Sequence, residues 1–354
     1  ITGNVITGSG ADAVTLGNTS TITGNVTLGS NSDSADGGDS LTLNSGSKIV
    51  GNVDLGAAND TLTLSTAISS ATTITGNVTF GVGTGDTISY SGNTGPITVA
   101  INTNAAGTAT SAYANYVTGD VAGFEYIVGS DYSLPTSSSV VGDTIYDNTG
   151  ASLAVLTGSN TGTINDIDFS LIENLQLRSG ADTLSFQGTS GAPGSIAGRA
   201  DGGGIEGASY SNGIYTGGTT TDPSIDLLDY TAYNAGGVSV DLSKNLATGI
   251  FGGLAGGLIS GDGSIAGTTT DSSFENVDGS RFNDTIIGDD QTSQSNVLRG
   301  FGGNDTIIGG AGTSGNAGNP QVHFEVWRDA YMLGPNQLDF ARGKHKAEVI
   351  SFNV

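Results

Sequence analysis

The sequence predicts an all-β protein built as a parallel β-solenoid (β-helix), a fold in which short strands of successive repeats stack along one axis. Three observations support this fold class. They are an internal repeat of 21 to 27 residues, short runs in which aliphatic residues alternate with Thr or Ser, and Gly, Asn or Asp between those runs. Alternation with a period of two buries one face of a strand, and a repeat of this length indicates stacked units rather than one globular core.

The composition fits this fold class and excludes several functions. Gly accounts for 59 of the 354 residues and aromatic residues for 6%, which suits thin stacked layers of aliphatic side chains. The formal charge of −24 predicts that neither nucleic acid nor an anionic membrane is a partner. No apolar run is long enough to span a bilayer, so we expect no membrane insertion. The lack of Cys excludes disulfides and thiol chemistry.

Residues 1–90 carry the clearest repeat. The tripeptide G-N-V recurs at spacings of 21, 27 and 25 residues, and each copy continues into an acidic residue and an alternating run. Alternation predicts that Val53, Leu55, Leu62 and Leu64 point into a core while Thr and Ser face water. We expect the Asn of each tripeptide to occupy a turn and to stack as a ladder between repeats. The tripeptides begin at Gly3, Gly24, Gly51 and Gly76.

A second, longer pattern follows from Tyr90 onward. Residues 124–130, F-E-Y-I-V-G-S, match residues 274–280, F-E-N-V-D-G-S, and a reduced copy, I-E-N-L, lies at 172–175. Each copy is followed by an acid, a Thr and an aliphatic residue. This pattern predicts further, degenerate turns of the same solenoid. The acid–Thr–aliphatic steps begin at Asp143, Asp182 and Asp284.

The stretch Arg299–Gly312, R-G-F-G-G-N-D-T-I-I-G-G-A-G, contains one good copy of the nonapeptide G-G-x-G-x-D-x-U-x, in which U is a large aliphatic residue. Its one departure is Phe301. Glycines allow tight turns that bring carbonyl oxygens inward, and Asp adds a carboxylate, a donor set that suits calcium. The stretch resembles the calcium-binding β-roll of RTX proteins, which are secreted by bacteria. The resemblance is strongest over 229–312 and implies that the solenoid runs into a short calcium-binding β-roll.

Two sets of residues are candidate Ca²⁺ ligands. In the family that the stretch resembles, carbonyl groups and Asp side chains of successive turns share each ion; the alternative for this set is a simple turn before a strand. The first set is Asp284, Asn296, Gly300, Gly302, Gly303, Asn304 and Asp305. A second set has one acid per repeat, which either binds calcium or caps a turn, and we favour the turn. That set is Asp39, Asp60, Asp86, Asp143 and Asp182.

These patterns divide the chain into five parts. Because Ile1 lies within a repeat, we expect the chain to be a piece of a longer protein. The parts are 1–90, a β-solenoid with G-N-V repeats; 91–188, degenerate longer solenoid turns; 189–226, a Gly- and Ser-rich loop; 227–315, RTX-like lead-in turns and the β-roll; and 316–354, a C-terminal cap or separate element.

The sequence predicts a secreted, calcium-binding structural protein of the bacterial cell surface that assembles with copies of itself into an S-layer, sheath or extracellular filament. The resemblance implies export by type I secretion. We expect no enzymatic activity, since the zinc-protease helix, the nucleophile elbow and the phosphate-binding loop are all missing. Two alternatives stay open: an adhesin passenger, with cell-surface polysaccharide as a possible partner, and an extracellular polysaccharide-active β-helix enzyme.

Overall fold

The computed structural model describes most of the chain up to residue 309, and this part is all-β. The described residues contain 32 strands, one 3₁₀ turn at Leu242–Lys244 and no α-helix. The predicted cap at 316–354 lies outside them. The described residues are 1–30, 35–65, 73–102, 111–114, 116–132, 142–177, 180–203, 209–211, 214–216, 224–244, 246–250, 273–288 and 296–309.

The N-terminal repeats stack in parallel with the register that the sequence predicts. Val5, Val26, Val53 and Val78 lie opposite one another on adjacent strands, which reproduces the spacings of 21, 27 and 25 residues. The predicted alignment of the G-N-V copies is therefore confirmed. The strands are β1 (Val5–Ile6), β2 (Ala13–Leu16), β3 (Thr21–Thr23), β4 (Val26–Thr27), β5 (Ser40–Asn44), β6 (Lys48–Val50), β7 (Val53–Asp54), β8 (Thr61–Ser65), β9 (Val78–Thr79) and β10 (Thr87–Ser89).

Alternation along each strand separates the core from the surface. In β5 and β8 the two Leu residues are buried, and the Ser, Thr and Asn residues between and beside them are partly exposed. Val53, Leu55, Leu62 and Leu64 are at most 1% exposed, which confirms the predicted core positions. Each such side chain contributes about 1.5–3 kcal/mol of hydrophobic stabilisation when it is fully buried.

Two antiparallel meanders, which the repeat pattern did not predict, interrupt the parallel stacking. One consists of β11 to β13 and the other of β16 to β18. Asn165 and Asp166 have φ values of 45° and 69°, as a tight two-residue hairpin turn requires. The strands of this region are β11 (Thr98–Asn102), β12 (Ser111–Ala114), β13 (Val121–Ala122), β14 (Tyr126–Val128), β15 (Thr144–Asp147), β16 (Leu153–Gly158), β17 (Thr161–Ile164), β18 (Ile167–Ser170), β19 (Asn174–Leu177) and β20 (Thr183–Phe186).

The segment 189–226, predicted to be a loop, contains short strands where the structure describes it. Two pairs form local hairpins, and β23 pairs in parallel with β19. Strands of two or three residues leave little alternation for a sequence pattern to show. These strands are β21 (Gly188–Thr189), β22 (Ala192–Pro193), β23 (Ala200–Asp201), β24 (Ser209–Ser211) and β25 (Ile214–Thr216).

The two matched copies of the longer pattern adopt the same local structure. The amide of Tyr90 donates to Val128 O at 2.9 Å, and that of Tyr230 donates to Asp278 O at 2.8 Å. Both tyrosines are fully buried, so the predicted correspondence between the copies is confirmed. The remaining strands are β26 (Leu227–Asp229), β27 (Ser239–Asp241), β28 (Leu246–Ala247), β29 (Asn276–Asp278), β30 (Thr285–Ile287), β31 (Val297–Arg299) and β32 (Thr306–Ile308).

Two large sheets and a smaller one place the acidic residues that precede their strands next to one another. The 10-stranded sheet has the order β1-β4-β7-β9-β13-β12-β11-β15-β19-β23. The 12-stranded sheet has the order β2-β5-β8-β10-β14-β18-β17-β16-β20-β26-β29-β31, and a 4-stranded sheet has the order β28-β27-β30-β32. Acidic residues that precede paired strands are thereby placed one strand spacing apart, about 4.8 Å.

Candidate functional site

The asparagines of the G-N-V tripeptides form a ladder between repeats, as predicted. The Asn25 amide donates to Asn4 Oδ1 at 2.9 Å, the Asn52 amide to Asn25 Oδ1 at 3.0 Å, and the Asn77 amide to Asn52 Oδ1 at 2.9 Å. Each side chain thus satisfies a main-chain donor of the next repeat. Neighbouring backbones approach closely at the tripeptide, which explains the Gly at positions 24, 51 and 76, where a Cβ would lie within 2.5 Å of the preceding repeat's Gly O.

A second ladder is acidic, and we call it the acidic column. Its members are the residues that immediately precede five adjacent strands of the 12-stranded sheet, and each member after the first accepts a hydrogen bond from the main-chain amide of the member before it. The four N···O distances are 2.7, 2.8, 2.7 and 2.9 Å. The members are Asp12, Asp39, Asp60, Asp86 and Glu125.

Three members of the acidic column hold a carboxylate oxygen with no partner. Asp60 and Asp86 are fully buried and Asp39 is 2% exposed. In each of them Oδ1 accepts the ladder hydrogen bond, while Oδ2 is buried and makes no hydrogen bond within the described part of the chain. A buried charge without a counterion or donor is costly, so these positions favour either a proton or a bound cation.

The titration of the acidic column reflects this environment. Burial raises the pKa of Asp60 to about 7 and that of Asp86 to about 6, and the pKa of Asp39 is also raised by burial. The ladder hydrogen bond opposes this effect in all three, whereas neighbouring carboxylates add to it. Protonation of Asp39, Asp60 and Asp86 is therefore easier in the folded chain than in the unfolded one.

These pKa shifts predict an unusual dependence of stability on pH in the absence of divalent cations. An acid whose folded pKa is raised contributes stability below its unfolded pKa of about 3.9, and that stability is lost as the pH rises through the folded pKa. We therefore expect the melting temperature in chelator to fall as the pH rises from 5 to 8, as differential scanning calorimetry can measure. The Asp60→Asn variant should show a flatter profile. A melting temperature that rises steadily over this range would contradict the shifts.

Asp143 and Asp284 differ from the acidic column because a serine occupies their second oxygen. In Asp284, Oδ1 accepts from Val238 N and Ser280 Oγ, and Oδ2 accepts from Ser280 N, all at 2.7 Å. Asp143 has the equivalent arrangement with the main-chain amide and hydroxyl of Ser130. These contacts favour the turn interpretation for Asp143. The Gly-Ser pair that ends each matched motif was the sequence signal for this cap, and sequence analysis missed its role.

The Glu of the F-E and I-E motifs extends these ladders. Asp86 N donates to Glu125 Oε2, Asp143 N to Glu173 Oε2 at 2.9 Å, and Asp226 N to Glu275 Oε2 at 2.7 Å. The carboxylate of Asp182 likewise accepts a hydrogen bond from a main-chain amide, that of Ser152, whose N lies 2.6 Å from Asp182 Oδ1. Glu125, Glu173 and Glu275 were absent from the predicted site, although their motif had been identified.

The structure places the nonapeptide residues in two different sheets. Asp284 and Asp305 precede β30 and β32, and the Asp284 amide donates to Asp305 Oδ1 at 3.0 Å. Gly300 lies against the Asp305 carboxylate, because a Cβ at Gly300 would be 2.3 Å from Asp305 Oδ2. Asn296 instead precedes β31 of the 12-stranded sheet, where its Nδ2 donates to Glu275 O at 3.0 Å.

The turn between β31 and β32 has the backbone that the nonapeptide requires. Phe301 and Gly303 have positive φ values of 57° and 106°, and Gly302 N donates to Ser280 O at 3.4 Å. Asn304 N donates to Asn283 Oδ1 at 2.7 Å, which repeats the asparagine ladder. The turn is thus built by contacts to the preceding repeat.

Asp36 is a further acid that the sequence analysis did not single out. Its carboxylate accepts hydrogen bonds from the amides of Gly10, Ser30 and Ala57, which belong to three successive repeats. Burial opposes ionisation of Asp36, but these amide donors outweigh burial and lower its pKa. Asp36 therefore joins repeats as an ionised group. Its spacing of three residues from Asp39 was the available signal.

Comparisons with known proteins add no family assignment. A scan against protein-family models matched none, and a search of curated proteins found no match. In the described ranges, no group of three or more His, Cys, Asp and Glu side chains is arranged to hold a metal ion. The same ranges contain no helix long and apolar enough to cross a membrane.

Proposed function

We propose that this chain is a secreted, calcium-binding structural protein of the bacterial cell surface that assembles with copies of itself into an S-layer, sheath or filament. Its parallel strands would form a β-solenoid that runs into a short RTX-type β-roll. The Ca²⁺ ions would be held by carboxylate and main-chain oxygens of successive repeats, with Asp284, Asp305 and the acidic column as candidate ligands.

The ladders between repeats are the observation that carries this proposal. Asn side chains accept hydrogen bonds from main-chain amides of the following repeat, from Asn4 to Asp120, at 2.9 to 3.1 Å. Acidic side chains accept hydrogen bonds from main-chain amides of the preceding repeat, from Asp12 to Glu125, at 2.7 to 2.9 Å. A structure held by contacts between adjacent repeats transmits load along its axis and presents strand edges that favour self-association. This arrangement supports a structural role better than a catalytic one.

The charge balance supports the requirement for a cation. The chain carries 34 acidic residues against 10 Lys and Arg. Within the described ranges the salt bridges join Arg199 to Asp201, Lys244 to Asp241 and Arg299 to Asp278, and none of them reaches the acidic column. Self-repulsion at −24 would loosen the chain in low calcium. Calcium outside the cell would neutralise the acids and couple binding to folding.

The test is a calcium titration of the purified chain in which circular dichroism and particle size are followed together. We expect the β signal to increase and large assemblies to form, and both changes to reverse on addition of chelator. Magnesium at equal concentration serves as the control, since it prefers a rigid octahedral site and keeps its water ligands. A chain that stays folded and monomeric at every calcium concentration would contradict the proposal.

A further inference from the structure

We propose that the principal calcium site of this chain lies in the acidic column, at Asp39, Asp60 and Asp86, and not beside the nonapeptide residues Asp284 and Asp305. This inference rests on the proposed function only in taking calcium as the ion. It assigns the binding to the N-terminal repeats, which lack the RTX nonapeptide.

Each of the three acids has a carboxylate oxygen with no partner among the described residues. Asp39, Asp60 and Asp86 each present a buried Oδ2 that accepts no hydrogen bond from the described residues. Bringing an ionised carboxylate out of water is unfavourable unless another charge or donor compensates. The three oxygens belong to consecutive repeats, so the same lack of a compensating charge or donor occurs three times along the column. A divalent cation between neighbouring carboxylates would supply the compensating charge.

The second argument is the presence of a main-chain oxygen at the same place. A Cβ built at Gly83 would lie 2.4 Å from Ala58 O and 2.5 Å from Asp86 Oδ2, so both oxygens lie against Gly83. Calcium binds oxygen at about 2.3–2.6 Å, so the proposed ion would lie beside Gly83 in contact with both oxygens. Neighbouring carboxylates of the column are about 4.8 Å apart by the strand spacing. The proposed donor set of each ion is two neighbouring carboxylates and a carbonyl, because no three acidic side chains of the described residues are arranged to hold a metal ion.

The third argument is the contrast with Asp143 and Asp284. Both occupy the equivalent position before a strand, but Ser130 and Ser280 donate an amide and a hydroxyl to them. Serine therefore supplies in these repeats the neutralising donors that the acidic column lacks. Asp284 is already engaged by three donors, and calcium would have to displace them.

The deciding experiment measures calcium affinity by isothermal titration calorimetry for the full chain and three variants. Asp60 lies in the middle of the column, and the Asp60→Asn variant keeps an oxygen for the Asp39 amide, so we expect it to fold. We expect Asp60→Asn to weaken calcium binding at least tenfold. Asp284→Asn should stay within twofold of the parent chain. Asp168→Asn, which removes an exposed acid of β18, controls for the loss of one charge.

The outcomes separate this inference from the proposed function. Loss of calcium binding in Asp284→Asn with none in Asp60→Asn would overturn the inference and leave the structural function intact. Calcium binding at the column in a chain that never assembles would support the inference and overturn the function. If Asp60→Asn does not fold in chelator, the calcium affinity of Asp86→Asn decides between the two sites.

Discussion

The Gly51→Ala variant is expected to lose about 3 kcal/mol of unfolding free energy, a cost in the upper range for overpacking. A Cβ at Gly51 would lie 2.3 Å from Gly24 O and 2.6 Å from Gly24 C, both main-chain atoms of the preceding repeat. Gly76 and Gly24 face the repeats before them in the same way, at 2.4 and 2.5 Å. Because backbone atoms cannot rotate away, the repeats must separate and the asparagine ladder between them must lengthen.

Guanidinium denaturation at fixed calcium and pH measures this loss. The control is Gly95→Ala, because a Cβ at Gly95 meets no atom within 4 Å. We expect Gly95→Ala to change the unfolding free energy by no more than about 0.5 kcal/mol. Equal stability of the Gly51→Ala variant and the parent chain would show that successive repeats do not approach as closely as the structure indicates.

The Phe186→Ala variant is expected to lose about 3–5 kcal/mol, the range for deleting a buried aromatic side chain. Phe186 and Tyr230 are fully buried, and their rings stack with centroids 4.3 Å apart at 10°. The deletion leaves a cavity beneath Tyr230, whose hydroxyl donates to Thr248 O at 2.8 Å. The pair joins β20 to the turn after β26, so its loss weakens the contact between consecutive repeats.

Thermal and guanidinium unfolding measure the effect of Phe186→Ala, with Leu153→Ala as the control. Leu153 is 51% exposed, so its truncation should cost less than about 1 kcal/mol. Phe186→Leu fills most of the cavity and should recover more than half of the lost stability. A cost for Phe186→Ala no larger than that for Leu153→Ala would contradict the stacked arrangement.

The sequence predicted the N-terminal repeats well because one local pattern determines both their register and their core. The spacing of the G-N-V copies set the pairing of Val26 with Val53, and alternation set the burial of Leu62 and Leu64. A shift of one residue would turn every aliphatic side chain to the solvent, so the register is strongly specified.

The meanders could not be predicted by the same reasoning because they depend on which strand edges meet. Strands β11 and β16 pair with partners far along the chain as well as with their hairpin neighbours. The N-D pair at 165–166 was a local hairpin signal, but sequence spacing alone does not show that the hairpin enters a parallel sheet.

The sequence predicted which acids belong to the candidate site, but not which contacts each carboxylate makes. Asp60 and Asp284 look the same in the sequence, because each is followed by a Thr and an aliphatic residue. Their difference lies in a serine that approaches Asp284 from the preceding turn and has no equivalent beside Asp60. Tertiary contacts determine which carboxylate retains an oxygen without a hydrogen bond, and these contacts cannot be read from the local sequence.

The most direct test of the account is anomalous diffraction from crystals of the full chain grown with calcium and then exchanged with terbium. The account predicts anomalous peaks next to the carboxylates of Asp39, Asp60 and Asp86, with main-chain oxygens completing the ligands. Peaks found only beside Asp284 and Asp305, or a column with protonated carboxylates and no peak at saturating calcium, would contradict it.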